Sequence, residues 1–193
     1  KFELQHNDTK SNARAGLITT DHGVIETPIF MPVGTQGQKG VHMTELEEDI
    51  NAQIILGKHI PFYISVPDWK YWNRQAVLHK FNTWNRPILQ IAGFPGFFLF
   101  PKNRKLHEEG AMFRSHIDGS KHLFTPEKVM DIQRIIGAIS LWLSMNVVRV
   151  DADYEYAKKS LGLTELGLDR CFERFNSTEP KYGYQQSLFP IVQ

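Results

Sequence analysis

The stretch at residues 124–148, FTPEKVMDIQRIIGAISLWLSMNVV, decides the fold. It opens as a helix: Thr125 suits the N-cap, Pro126 the first helical position and Glu127 the first turn, where an acid meets the positive end of the helix dipole. Val129, Ile132 and Ile136 then recur on one face at helical spacing, and Gly137 supplies a stop. Residues 138–148 follow as an apolar run without alternation, the pattern of a strand covered on both faces. A helix feeding such a strand is the repeating unit of a parallel α/β sheet, because crossover helices cover the sheet.

The same grammar extends in both directions. Downstream, residues 153–176 predict a long helix with Tyr154, Ala157, Leu161, Leu168, Cys171 and Phe175 near the 3.6 period, and SLFPIVQ (187–193) predicts a further strand. Upstream, RPILQIA (86–92), AQIILGK (52–58) and IFMPVGT (29–35) are three more short apolar strands. MTELEEDI (43–50) between the last two reads as a helix with Thr44 as N-cap, and a helix over residues 69–78 fits the Trp-rich segment before RPIL. Residues 111–124, AMFRSHIDGSKHLF, alternate around Ile117-Asp118-Gly119-Ser120 and read as an inserted β-hairpin. The first 27 residues read as antiparallel β structure, with GLITT and VIETPIF separated by the turn cluster Asp21-His22-Gly23. The expectation is a single α/β domain over residues 1–193: an antiparallel β segment at 1–27, then a partial TIM-type (β/α) barrel of about five parallel strands over 28–193, with the hairpin near 111–124. A complete eight-unit barrel takes about 250 residues, so the last strand is left open, an invitation to pair with another chain.

Composition bounds the function. The chain has 193 residues, 41% hydrophobic and 22% charged, with 22 Lys+Arg against 21 Asp+Glu. That balance excludes a disordered chain and a general polyanion binder; any anion site is local. One cysteine excludes a disulfide framework and a CxxC zinc site, and Cys171 reads as core filler. The apolar stretches 88–100 and 135–148 are interrupted and too short to span a bilayer, and KFELQHNDTK has no secretory-signal pattern. A cytoplasmic protein is expected.

Candidate sites are few. His116 and His122 flank the hairpin turn without forming a ligand cluster, so they read as exposed polar residues. GTQGQKG (34–40) is neither GxGxxG nor a Walker A loop and reads as a connection needing flexible backbone. Lys102, Arg104, Lys105, Arg114 and Lys121 form a cationic set, but Glu108, Glu109 and Asp118 interleave with them and the set reads as a solvated surface. Residues 94–100, with four Phe, suit either an apolar pocket or a buried β segment.

PIFMPVGTQG (28–37), AQIILG (52–57), LHKF (78–81), RPIL (86–89), EEGAMFRSHIDGSKHLFTPEKVMDIQR (108–134), DYEYAKKSL (153–161) and LFPIVQ (188–193) together resemble the amino-terminal half of the bacterial tRNA-guanine transglycosylase family, the queuine tRNA-ribosyltransferases. The resemblance implies a TIM-type barrel preceded by a small antiparallel sheet. It also implies an enzyme that exchanges the wobble guanine of tRNA for a 7-deazaguanine through a ribosyl-aspartate intermediate. The departures fall at the reaction chemistry. Where the family reads TDSGGFQ after RPIL, this chain reads QIAGFPG, putting Ile91 at the base-binding and proton-handling aspartate. FDECTPYP falls on SMNVVRVD (144–151), putting Met145 at the base-recognising aspartate, and GNTYHL appears as GKHIPF (57–62). Gln193 is the one base-contacting position carried over. The family's nucleophilic aspartate and its Cys/Cys/Cys/His zinc site belong to the carboxyl-terminal half, so the expectation for this chain is no catalytic residue, no metal ligand and no cofactor. Three functions remain open: a transglycosylase chain unable to exchange bases by itself, a redesigned or decayed half-barrel scaffold that self-associates or binds an apolar partner, and a noncatalytic tRNA-binding subunit.

Overall fold

The computed structural model of the chain describes residues 1–34, 40–58, 78–91, 104–115, 118–138, 140–143, 148 and 151–190. They form a mixed α/β architecture of three sheets, with no closed barrel among the described residues. Strands β1 (Phe2–Asn7), β2 (Arg14–Thr20) and β3 (Gly23–Thr27) make the expected antiparallel sheet, with Asp21 and His22 in the turn.

The central sheet is parallel. Strands β4 (Ile55–Lys58), β5 (Ile88–Ile91), β9 (Ser140–Leu143) and β10 (Ser187–Pro190) lie side by side in chain order. The expected first strand of this series, IFMPVGT, contributes only a parallel bridge from Val33 to Leu56. Pro28 and Pro32 explain the shortfall, because each removes a backbone donor from the ladder. What survives is the carbonyl of Pro32, which accepts from Leu56 N at 2.9 Å, and Gly34 N donating to Leu56 O at 2.8 Å. The described parallel strands therefore number four rather than about five.

The helices follow their end signals with two corrections. α1 (Met43–Glu48) starts one residue before the expected cap: His42 holds the N-cap position and donates its backbone N–H to Glu45 Oε2 at 2.5 Å, so Thr44 lies inside the helix. A short α2 (Leu78–Asn82) precedes Trp84, which is fully buried and donates from Nε1 to Pro87 O at 3.2 Å. The helix expected over 69–78 lies outside the described residues except for Leu78, as does the run 94–100. α3 (Pro126–Ile136) has the predicted ends: Thr125 Oγ1 accepts from Lys128 N at 3.2 Å, and Gly137 turns left-handed at φ 77°.

α4 (Tyr154–Asn176) is capped by Asp153, and the expected stripe holds in its C-terminal half, where Leu168, Cys171 and Phe175 pack on the core, but not in its N-terminal half. Tyr154 is 74% and Leu161 45% exposed, while Ser160, Thr164, Gly167 and Cys171 are buried. Small side chains let α3 and α4 approach closely, and the contact is edged by Arg170 on Glu127 at 2.7 Å and Arg174 on Asp131 at 2.9 Å. The apolar core lies under the helix-covered side of the sheet, around Ile55, Ile88, Leu78, Val129 and Met130.

The insertion is larger than a hairpin. β7 (Gly110–Arg114) and β8 (Lys121–Phe124) pair as expected, and β6 (Arg104–His107) adds a third antiparallel strand through a tight turn at Glu108 and Glu109. Gly110 has φ 155°, and a Cβ there would lie 2.2 Å from Phe124 O, so only glycine fits the crossing.

Candidate functional site

A parallel sheet fed by helices places its chemistry at the C-terminal ends of the strands. Here the last strand residues are Lys58, Ile91, Leu143 and Pro190. The pairing registers line up Lys58, Ile91, Trp142 and Phe189 at one level across the sheet. Along β5 the pleat sends Ile88 and Gln90, both fully buried, to the helix side, while Leu89 and Ile91 are half-buried on the other. Phe189, 41% exposed, shares the level of Ile91. The side chains described on this face, Leu89, Ile91 and Phe189, are apolar, and none of the four strand ends is an acid. An isoleucine neither gives nor takes a proton. Met145, two residues beyond β9, and Gln193, three beyond β10, lie outside the described residues.

The hairpin candidates separate in the same way. His116 is outside the described residues, and His122 stacks on Phe113 at 5.4 Å while its Nε2 meets Ser120 Oγ at 2.7 Å. Asp118 is a turn former: the Ser120 hydroxyl, at 2.7 Å, is the main cause that lowers its carboxyl to about 2. The loop 34–40 is described only at Gly34 and Gly40.

The opposite end of the sheet is sealed by the N-terminal sheet. Asp21 Oδ2 accepts from Gln185 N at 2.7 Å, and Gln53 Oε1 accepts from Glu26 N at 2.7 Å. The His22 ring lies 4.0 Å from His79 and meets Tyr184 edge-on at 4.7 Å. Tyr184 and Tyr182 donate their hydroxyls to the carbonyls of Gly137 and Ile135. Burial drives the His79 imidazole down to about 3, with His22 adding repulsion, and the Arg86 backbone opposes both weakly. An open cleft of about 380 Å³ lies beside this cluster, lined by His22, Glu26, Gln53 and Arg86 among others. Arg86 is already committed there, to Asn51 Oδ1 at 2.8 Å and Ala52 O at 2.9 Å. These residues precede the strands they support, so the cleft sits at the end of the sheet that carries stability rather than chemistry. The sequence reading missed this cluster, because His22, His79 and Tyr184 are far apart along the chain and none belongs to a spaced motif.

A family model described as queuine tRNA-ribosyltransferase matches residues 8–193. The chain belongs to the queuine tRNA-ribosyltransferase family. Proteins named queuine tRNA-ribosyltransferase are 42% identical to it in Thermoanaerobacter sp. (strain X514), over 193 residues, and 44% identical in Thermoanaerobacter pseudethanolicus, over 196 residues. A third, from Nitratidesulfovibrio vulgaris (strain DP4), is 43% identical over 195 residues. All of this chain is covered in each case, against 50%, 50% and 49% of the relatives. The chain thus spans about half the length of these curated relatives, their amino-terminal half.

Cys171 is the one thiol of this family member. It is buried in the α3–α4 contact with Sγ 3.7 Å from Pro126 O, and burial pushes its thiol up to about 12. A thiol held protonated is neither nucleophile nor metal ligand. Among the described residues no three His, Cys, Asp or Glu side chains converge as a metal site, and no helix is long and apolar enough to cross a membrane. Cys171 is expected to resist iodoacetamide at pH 8 in the native chain and to react once the chain is unfolded in urea. Mass spectrometry reads this directly, and rapid native alkylation overturns the assignment.

Proposed function

We propose that this chain supplies the amino-terminal half of a tRNA base-exchange enzyme, as one side of a TIM-type barrel, and that the 193 residues alone do not exchange guanine. The observation that carries the reading is the family match over residues 8–193 joined to a parallel sheet whose strands follow one another in chain order. Exchange at a ribose needs a nucleophilic carboxylate and a second group to manage the proton. By resemblance the nucleophile and the zinc site belong to the other half, and Ile91 and Met145 occupy the positions of the two base-handling aspartates. Gln193 remains as the base-contacting position. The substrate would be tRNA and the compartment the cytoplasm. The test is incorporation of radiolabelled guanine into tRNA by the purified chain. No incorporation is expected, and turnover would overturn the roles given to Ile91 and Met145.

A second reading is favoured by one observation, the half-exposed apolar sheet face of Leu89, Ile91 and Phe189 beside the outer strand β10. It makes the chain a scaffold that self-associates or buries this face against an apolar partner. Sedimentation at micromolar concentration separates the two readings: a stable monomer removes the scaffold, and a dimer supports it.

A further inference from the structure

We propose that the exposed face of the three-stranded β6–β7–β8 sheet is a docking surface for the phosphate backbone of structured RNA, read without regard to sequence. In the linear chain its cations are mixed with acids, which suggests an ordinary solvated surface. The strand register undoes that mixture. Lys105 pairs with Met112, Met112 with Leu123, and Arg114 with Lys121, so these five residues stand on one face of the sheet. Lys105, Arg114 and Lys121 are exposed, and Met112 and Leu123 are half-buried between them.

The acids have been moved elsewhere. Glu108 and Glu109 form the turn at one end, where their carbonyls accept from Arg170 at 2.8 and 3.4 Å. Asp118 sits in the turn at the other end with its carboxylate occupied by Ser120. Among the described residues no ion pair or side-chain hydrogen bond engages Lys105, Arg114 or Lys121. Arg114 and Lys121 are moreover directly opposed across the strands. Like charges in that position destabilise a sheet, so the arrangement carries a cost that a bound polyanion relieves.

The chemistry of the face selects the polyanion. An acidic peptide is recognised most simply by adding to a sheet edge, through backbone hydrogen bonds, whereas these cations stand on the face. Among the described residues His107 is the one ring on that face, at its Glu108–Glu109 end; a single imidazole beside three cations makes the contact chiefly one with phosphates, which position a nucleic acid without reading it. The choice of RNA over another polyanion rests on the transferase reading above.

The test uses the 193-residue chain with two fluorescein-labelled RNAs of equal length, a tRNA and an unrelated hairpin-rich RNA, read by anisotropy across a salt series. Both are expected to bind, with log K falling against log salt by about 2 to 3 units per decade for three phosphate contacts. The triple variant Lys105→Glu, Arg114→Glu, Lys121→Glu is expected to weaken both by roughly tenfold or more and to flatten the slope. The triple Gln variant should behave alike with less repulsion, and circular dichroism confirms that both variants fold. Absence of binding by the wild-type chain overturns the proposal, as does undiminished binding by the folded variants. Poly-glutamate binding as tightly as RNA at equal charge and salt overturns the assignment to RNA. The inactivity assigned to the isolated chain is tested separately, by the guanine-incorporation assay, where turnover would overturn the roles given to Ile91 and Met145 and leave this surface untouched.

Discussion

Arg134→Ala is expected to destabilise the chain by about 2–3 kcal/mol, the cost of withdrawing a charged donor from poorly hydrated neutral acceptors. Arg134 is only 4% exposed, and its guanidinium makes four hydrogen bonds. Nη2 donates to the carbonyls of Phe175 and Thr178 at 2.8 and 2.9 Å, Nη1 to Gln186 Oε1 at 3.0 Å, and Nε to Thr178 Oγ1 at 3.2 Å. The Phe175 ring lies 3.9 Å from the guanidinium carbon, adding a cation–π contact. Gln186 in turn donates to Ala138 O at 2.6 Å and Gln133 O at 3.2 Å. One side chain therefore ties the C-terminal end of α4 and the approach to β10 onto α3. Alanine leaves the Thr178 carbonyl and the Gln186 amide oxygen without this donor in a place water reaches poorly, which is where the cost arises. Lysine keeps the charge and loses the fork, so Arg134→Lys should fall between. Urea unfolding measures both; a midpoint shift for Arg134→Ala equivalent to less than about 1 kcal/mol defeats the assignment.

Acid should unfold the chain in part through His79. Its imidazole is buried and held at about 3 against the ordinary 6.5. Between those values the unfolded chain takes up a proton that the native chain refuses. Stability is therefore complete above pH 6.5 and falls as the pH drops through the window, by about 2–3 kcal/mol between pH 6.5 and 4.5. His22 is shifted the same way by burial and adds to the slope. His79→Phe keeps an aromatic ring against His22 and Tyr184 and has nothing to protonate. Its unfolding free energy should depend much less on pH over that interval, where most carboxylates stay ionised. Parallel pH profiles for the wild-type chain and the variant would show that His79 is not the group responsible.

What was legible in the sequence depended on how local the signal was. The ends of α3 could be read from Thr125, Pro126 and Gly137 because capping is decided within a turn of helix. The β2–β3 turn was legible for the same reason. The first parallel strand was over-read, since its apolar residues are suitable and only Pro28 and Pro32 spoil the ladder. The buried face of α4 was misread toward Tyr154 and Leu161, because hydrophobic periodicity does not register a neighbouring helix that demands small residues. β6 was missed: Arg104–His107 carries no alternation that stands out. At the strand ends, the reading of Ile91 as incapable of proton chemistry rests on residue type alone. Arg134 gave no warning, as a charged residue in an amphipathic helix usually points to solvent.

The hydrogen bond from Gln185 N to Asp21 Oδ2 spans 164 positions of the chain, and the His22 ring beside it touches both His79 and Tyr184. Synthesis runs in one direction, so the seat for the first hairpin stays incomplete until residues 184 and 185 have left the ribosome. Closing so large a loop is slow compared with forming the local turns inside it. The N-terminal hairpin is therefore expected to fold early yet settle late, and nascent chains arrested short of Tyr184 should lose it first to a protease.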